Sequence, residues 1–338
     1  MQNSTLLTQG LVPEVHAHHT DHLELTIAHI AMAFWVCLAN GSQIVNILLT
    51  PAIRRQPKNM LVVNVCLCEV IIGGFLCPLY SDSLLQGTWR HNPVTCIVYE
   101  ATFYGQVCVS TLAVFFLLVE RLYYLLSPHT RINSCIYCLT LLMVVFPWIL
   151  GAALVAPLVV YGSIAKLNQG SQSCQILWKP RFQTVTIFVS FFCPAFLAMV
   201  MAVFMVIFYV MHPVTVKDRH EVPEPDRQLI KESVRVGLLS SLTSVMLQFP
   251  FFIVLLQEIF CQRDASSLRQ CGLSEKTWSV VMLVAMLKPG ITPFVWLAYS
   301  DVRSGFRLLC VRRSERRHRR RISQAEDALA YLSHSGPL

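Results

Sequence analysis

Two charged residues sit alone in long apolar stretches of this 338-residue chain, Glu69 within 59–80 and Lys288 within 276–300. A charge at the middle of a bilayer costs roughly 2.5–3.5 kcal/mol unless it finds a partner or water. An acid and a base stranded in this way are expected to meet as an intramembrane ion pair; the alternative is that each faces its own pocket of water. A second couple, Glu120 and Arg121, is adjacent in sequence at the end of another apolar stretch. A guanidinium there must be paired or hydrated, and Glu120 offers a carboxylate. His16, His18, His19 and His22, with Asp21 beside them, have donors suited to zinc or copper and titrate in a range suited to acid sensing. An exposed tail is the preferred reading of that tract, and no metal is assigned. The apolar stretches hold no cluster of inward His and Asp ligands such as a membrane zinc hydrolase needs. No catalytic residue or cofactor is expected.

The elements that must position these residues follow from composition. Apolar residues make up 54% of the chain and charged residues only 14%, with a mean hydropathy of +0.54; a soluble domain carries about 25% charged residues. Stretches free of Asp, Glu, Lys and Arg run over 25–53, 101–119, 132–165, 182–216 and 236–257. With 59–80 and 276–300 they make seven segments, each near the roughly 20 helical residues that cross a hydrocarbon core of about 30 Å. The expected fold class is therefore an all-α membrane protein, a seven-transmembrane helix bundle. No removable signal peptide is expected.

Of 27 Lys and Arg, 19 fall on one side of the spans, seven on the other and none before residue 25. Basic residues are retained in the cytoplasm, which places the N-terminus outside. The sequon Asn3-Ser4-Thr5 agrees, since glycosylation needs the outer face. After the last span, Val302, Phe306, Leu309 and Cys310 share one face at helical spacing. The expected organisation is an extracellular glycosylated tail over 1–24, the bundle over 25–300, an amphipathic interfacial helix over 301–311 and a basic cytoplasmic tail over 312–338.

Thirteen cysteines divide by compartment, because only outer thiols meet an oxidising medium. Cys96 and Cys174 form one candidate disulfide, pinning the 161–181 loop to the bundle as a lid. Cys261 and Cys271 form a second. Cys310, beside a basic stretch, is a candidate for palmitoylation. Arg312, Arg313, Arg316, Arg317, Arg319, Arg320 and Arg321 would be drawn to anionic inner-leaflet lipid by about 1 kcal/mol each. Ser323, following Arg320-Arg321, is a candidate phosphorylation site whose charge would weaken that attachment.

In this order the residues resemble the rhodopsin-like (class A) G-protein-coupled receptors over about residues 25–312. The likeness rests on Asn46, on Asn64-Val-Cys-Leu-Cys-Glu69, on Trp89 followed by Cys96, and on Glu120-Arg121-Leu122. It continues through Trp148, Pro157, Pro194, Pro250, Thr292-Pro293-Phe-Val-Trp296 and Phe306-Arg307. The resemblance implies that Glu120 and Arg121 face a heterotrimeric G protein once the inner halves of helices three and six separate. It also implies that the helix-two acid, here Glu69, sits where that family binds sodium. Lys288 falls on a helix-seven position of that site, with Ser110 and Thr292 nearby, so its ammonium is expected to stand in place of the ion.

Departures fall in the family's switch region. Leu247-Gln248-Phe249-Pro250 lacks the usual Trp at Gln248, Ser244 and Ala202 replace a Phe and a Tyr, and Thr292-Pro293-x-x-Trp296 lacks both the amide and the phenol. The inward positions of the outer half are Phe103, Tyr104, Val107, Thr186, Ser190, Phe251, Phe252, Trp278, Met282 and Met286. Phe103 stands where amine receptors carry an Asp and Met286 where opsins carry their Lys, so the pocket suits an apolar ligand. Bundle packing explains the same residues equally well.

The expected function is transduction of an extracellular ligand, identity open, to heterotrimeric G proteins at the plasma membrane, with arrestin, membrane lipid and a receptor oligomer as further partners and no nucleic acid. The alternative is a receptor-shaped protein without ligand-driven signalling, acting constitutively or as a partner or trafficking subunit of another receptor. A channel using Glu69 and Lys288 is disfavoured, because the inner helices lack a string of polar residues.

Overall fold

The computed structural model describes residues 12–86, 88–126, 134–161, 163–164, 174, 176–177, 180–211, 224–263 and 275–307. Asn3, Cys271, Cys310 and Ser323 lie outside these residues, as do the side chains of Cys261 and of the His16–His22 tract.

Seven helices are long and apolar enough to cross a membrane. They are α1 (Val12–Leu49), α2 (Pro57–Gln86), α3 (Pro93–Leu126), α4 (Ser134–Tyr161), α5 (Pro180–Met211), α6 (Glu224–Arg263) and α7 (Glu275–Trp296). A single helical turn, Pro51–Arg54, joins α1 to α2, and a further helix begins at Ser300 and runs to the last described residue, Arg307. The charge-free windows understate several elements. Helix α3 begins at Pro93 rather than 101, α6 extends to Glu224, and α1 begins at Val12 inside the segment expected to be a tail. Pro suits a first helical turn, and charged residues that pair, or that lie beyond the hydrocarbon, do not end a helix.

Two helices widen for a shared reason. A π-turn at Ile72–Leu76 in α2 precedes Pro78, and one at Phe188–Phe192 in α5 precedes Pro194. Each Pro lacks the N–H that its preceding turn needs, and its ring crowds the carbonyl four residues back, so the helix swells just before it. In α7 the same deficit is met from outside. Pro293 cannot bond the carbonyl of Pro289, and Asn40 of α1 donates to that oxygen at 3.0 Å. Trp35 donates to Gly290 O at 3.1 Å and Gln43 to Pro293 O at 3.1 Å. These bonds are the reason α1 lies against α7, because lipid offers no water to satisfy a freed backbone group.

Helix α3 runs through the centre and packs on α2, α4, α5 and α6. Trp148 Nε1 of α4 donates to Asn64 Oδ1 of α2 at 2.8 Å. The outer core gathers Trp89, Tyr99, Phe191, Phe251, Phe252 and Met286; the inner core gathers Leu61, Leu117, Trp296, Tyr299 and Val302. At the end of the bundle where α3 begins, Cys96 is joined to Cys174 by a disulfide. Beside it a minimal antiparallel pair, β1 (Ser163–Ile164) and β2 (Ile176–Leu177), folds the second outer loop back on itself.

The helix after α7 docks through a glycine. A Cβ on Gly305 would meet Ile53 and stand 2.5 Å from Asn46 Oδ1, and Asn46 is itself held by its bond to Val302 O at 3.0 Å. Gly305→Val is therefore expected to lower stability by about 1–3 kcal/mol through overpacking, read as a lower melting temperature of the detergent-solubilised chain. An unchanged melting temperature would show that the helix can dock without this contact.

Candidate functional site

Glu69 on α2 and Lys288 on α7 come together at the centre of the bundle, with side chains 0% and 1% exposed. Lys288 Nζ donates to Glu69 Oε1 and to Ser110 Oγ of α3, and Ser110 Oγ donates to Glu69 Oε1 at 2.9 Å. Three helices thus share one carboxylate oxygen. Thr292, one turn further along α7, spends its hydroxyl on Lys288 O at 2.7 Å and does not join the cluster. Glu69 Oε2 has no protein partner. An ammonium supplies a positive charge and three donors at one point, the charge that a bound cation would otherwise bring to Glu69. The isolated positions of the two residues in the sequence are explained by this pairing.

Above the cluster lies a small cavity of about 20 Å³ between α2, α3, α6 and α7, room for about one water. Of the residues expected to face a ligand, Phe103, Val107, Phe251, Phe252, Met282 and Met286 line it. Tyr104, Thr186, Ser190 and Trp278 do not. Ser190 is turned onto Ile187 O at 3.4 Å across the α5 π-turn, and Trp278 packs on the Phe251 ring at 5.3 Å. Gln106 of α3 was missed by the inward-position pattern, and Gln248 lines the cavity together with it. Gln248 stood out as a departure from the switch motif, whereas Gln106 lacked any comparable signal.

A polar layer closes the inner end. Glu120 and Arg121 form a bidentate pair within α3, at 7% and 3% exposure. Lys58, at the start of α2, binds Asp301 Oδ1 at 3.0 Å and lies 4.1 Å over the Tyr299 ring. Asn59 donates to Asp301 Oδ2 at 2.9 Å. On the other flank Glu232 of α6 accepts from the backbone N–H and the hydroxyl of Ser300, both at 3.0 Å. The junction after α7 is thereby tied to both α2 and α6. In the switch region Trp296 and Thr292 are buried, and Pro250 and Pro293 lie inside their helices. Among the described residues no three His, Cys, Asp or Glu converge as metal ligands.

Comparison with known proteins places these features in a wider set. The sequence profile described as 7 transmembrane receptor (rhodopsin family) matches residues 39–296. Over 183 residues, 53% of this chain and 45% of the relative, the sequence is 26% identical to Protein trapped in endoderm-1 of Drosophila melanogaster. Over 131 residues, 38% of this chain and 19% of the relative, it is 25% identical to G-protein coupled receptor moody of the same species. The matched part spans less than half the length of either relative.

The buried cluster makes a sharp stability forecast. Lys288→Ala leaves Glu69 without its charge partner and is expected to cost about 3–5 kcal/mol, whereas the double variant Glu69→Gln, Lys288→Met is expected to lie close to the native chain. Thermal melting of the three proteins in nanodiscs checks the order. With Lys288 in place, melting is expected to be the same in sodium and potassium chloride at equal ionic strength, and a sodium-specific rise would refute occupation of the site by the ammonium.

Proposed function

The chain belongs to the rhodopsin family of seven-transmembrane receptors, and from that membership we propose that it is a plasma-membrane receptor that couples an extracellular, apolar ligand to heterotrimeric G proteins. The observation that carries the reading is the buried Glu120–Arg121 pair at the inner end of α3, beside an α6 held in by Glu232 and Ser300. Movement of α6 away from the junction after α7 breaks the Glu232 bonds and opens the inner face, where Arg121 can leave its intrahelical partner for a G protein. The excess of Lys and Arg on one side of the spans supports an extracellular N-terminus and a cytoplasmic C-terminus. Within this reading Asn3 is glycosylated, Cys261 and Cys271 are paired, Cys310 is palmitoylated, Ser323 is phosphorylated, and the basic tail holds inner-leaflet lipid and offers a site to arrestin. Oligomerisation with another receptor belongs to the same proposal.

One observation favours the alternative reading, a receptor-shaped partner or constitutively acting chain. The cavity is small, about 20 Å³, and Gln248 holds the place of the pivoting Trp. The two readings separate in cells expressing the chain with each main Gα class, at matched surface levels. Arg121→Ala is expected to abolish basal G-protein activation. Glu232→Gln, which weakens two hydrogen bonds to a charged acceptor, is expected to raise it by about tenfold, the shift produced by about 1.4 kcal/mol in a two-state equilibrium. Activation that is absent from the native chain and from Glu232→Gln alike would leave the partner reading standing.

A further inference from the structure

Gln106 and Gln248 face the same cavity from α3 and α6. Each is only 5% exposed, and the side-chain carbonyl oxygen of each has no hydrogen-bond partner. Leaving one buried acceptor unsatisfied costs about 1–3 kcal/mol. Amide oxygens without a partner also occur on Asn40, Gln43, Asn46 and Asn59, but those four side chains each donate an N–H to a neighbour, whereas Gln106 and Gln248 line a common cavity.

The rest of the wall is apolar and adaptable. Phe103 meets Phe251 edge-on at 5.3 Å, and Met282 and Met286 complete the side formed by α7. Thioether chains re-pack readily around an incoming group. Among the described residues no Asp, Glu, Lys, Arg or His lines the cavity, so an ammonium or carboxylate placed there would lose its hydration without a counter-charge. The chemistry that fits is neutral, and it must donate.

We propose that this cavity receives a neutral, largely apolar ligand through a terminal hydroxyl, with Gln106 and Gln248 as the residues that recognise it. A hydroxyl has one O–H to donate and lone pairs to accept. It donates to the carbonyl of one amide and accepts an N–H from the other. Exchanging O and N on either Gln leaves both amides able to donate and to accept, so the match survives an amide flip. The hydroxyl leaves one carbonyl without a donor where a hydrocarbon or an ether of the same shape leaves both, and such sites discriminate against the analogue that lacks the donor. The proposal deepens the receptor reading by naming the ligand's chemical class, and it rests on that reading only for the use to which binding is put.

The test measures binding without signalling, on the full chain in nanodiscs. 4-Phenylbutan-1-ol and its methyl ether are supplied from water, and 1-dodecanol and its methyl ether from the bilayer, so the two arms distinguish a water-borne from a membrane-borne ligand. In at least one arm the alcohol is expected to raise the melting temperature at a concentration about tenfold below that of its ether, the discrimination given by one net hydrogen bond of about 1.4 kcal/mol. Gln106→Leu, Gln248→Leu, which removes both orphan carbonyls, is expected to melt no lower than the native chain and to lose the difference between alcohol and ether. Equal protection by alcohol and ether, no protection by either alcohol, or discrimination that persists in the double Leu variant would each overturn the proposal. If the variant alone melts higher and no alcohol protects the native chain, the amides hold water only. Because basal G-protein activation is a separate readout, binding without activation sinks the receptor reading alone, and activation without binding sinks this one alone.

Discussion

Water cannot reach the centre of this bundle in quantity, so the Glu69 carboxylate must be neutralised by the protein. Lys288 does so from α7 while Ser110 anchors the same oxygen from α3. The pair fixes three helices at one depth, and its neutraliser is covalently part of α7. A bound ion can leave and take its energetic contribution with it, making the centre sensitive to the medium. A lysine cannot leave, and relative motion of α2 and α7 must stretch a buried ion pair whose loss is strongly destabilising. The middle of the bundle is thus tied together across α2, α3 and α7.

The end of the bundle near Arg121 is held by polar tethers to the junction after α7. Asp301 is held from α2 by Lys58 and Asn59, and Ser300, one residue earlier, is held from α6 by Glu232. The two tethers differ in kind. Lys58 is 1% exposed and meets both a carboxylate and an aromatic face, so the α2 side is the firmer. On the α6 side Glu232 Oε2 accepts both bonds from Ser300.

Much of this was legible in the sequence because membrane spans have few ways to be built. Seven apolar segments and the meeting of the isolated Glu69 and Lys288 both follow from the cost of burying charge and backbone in lipid. Helix ends were read less well. Glu100, Glu120 and Arg121 sit inside α3, and a rule that stops a span at a charge cannot see that a charge near the membrane boundary is paired or reaches water. Half-buried helices posed a different limit. Thr186 and Ser190 have suitable types and register for a pocket, yet the π-turn at Phe188–Phe192 changes the register of the adjoining turns, and a 3.6-residue period cannot anticipate that shift. Gln106 was invisible for a related reason, since an amide in an apolar helix gives no hint of whether it will cap a carbonyl or face a void.

That last distinction decides how the polar side chains of the bundle divide. Asn40, Gln43 and Trp35 sit opposite carbonyls of α7 that its prolines disturb, and each has found one. Asn46 and Asn59 likewise bond backbone oxygens near the inner boundary. These amides are structural glue, and their presence is explained by the irregular backbone they serve. Gln106 and Gln248 bond none of these carbonyls, and they line a common cavity instead. In a medium where an idle amide is costly, that placement is what the proposed ligand hydroxyl would use, donating to one carbonyl and accepting an N–H from the other amide.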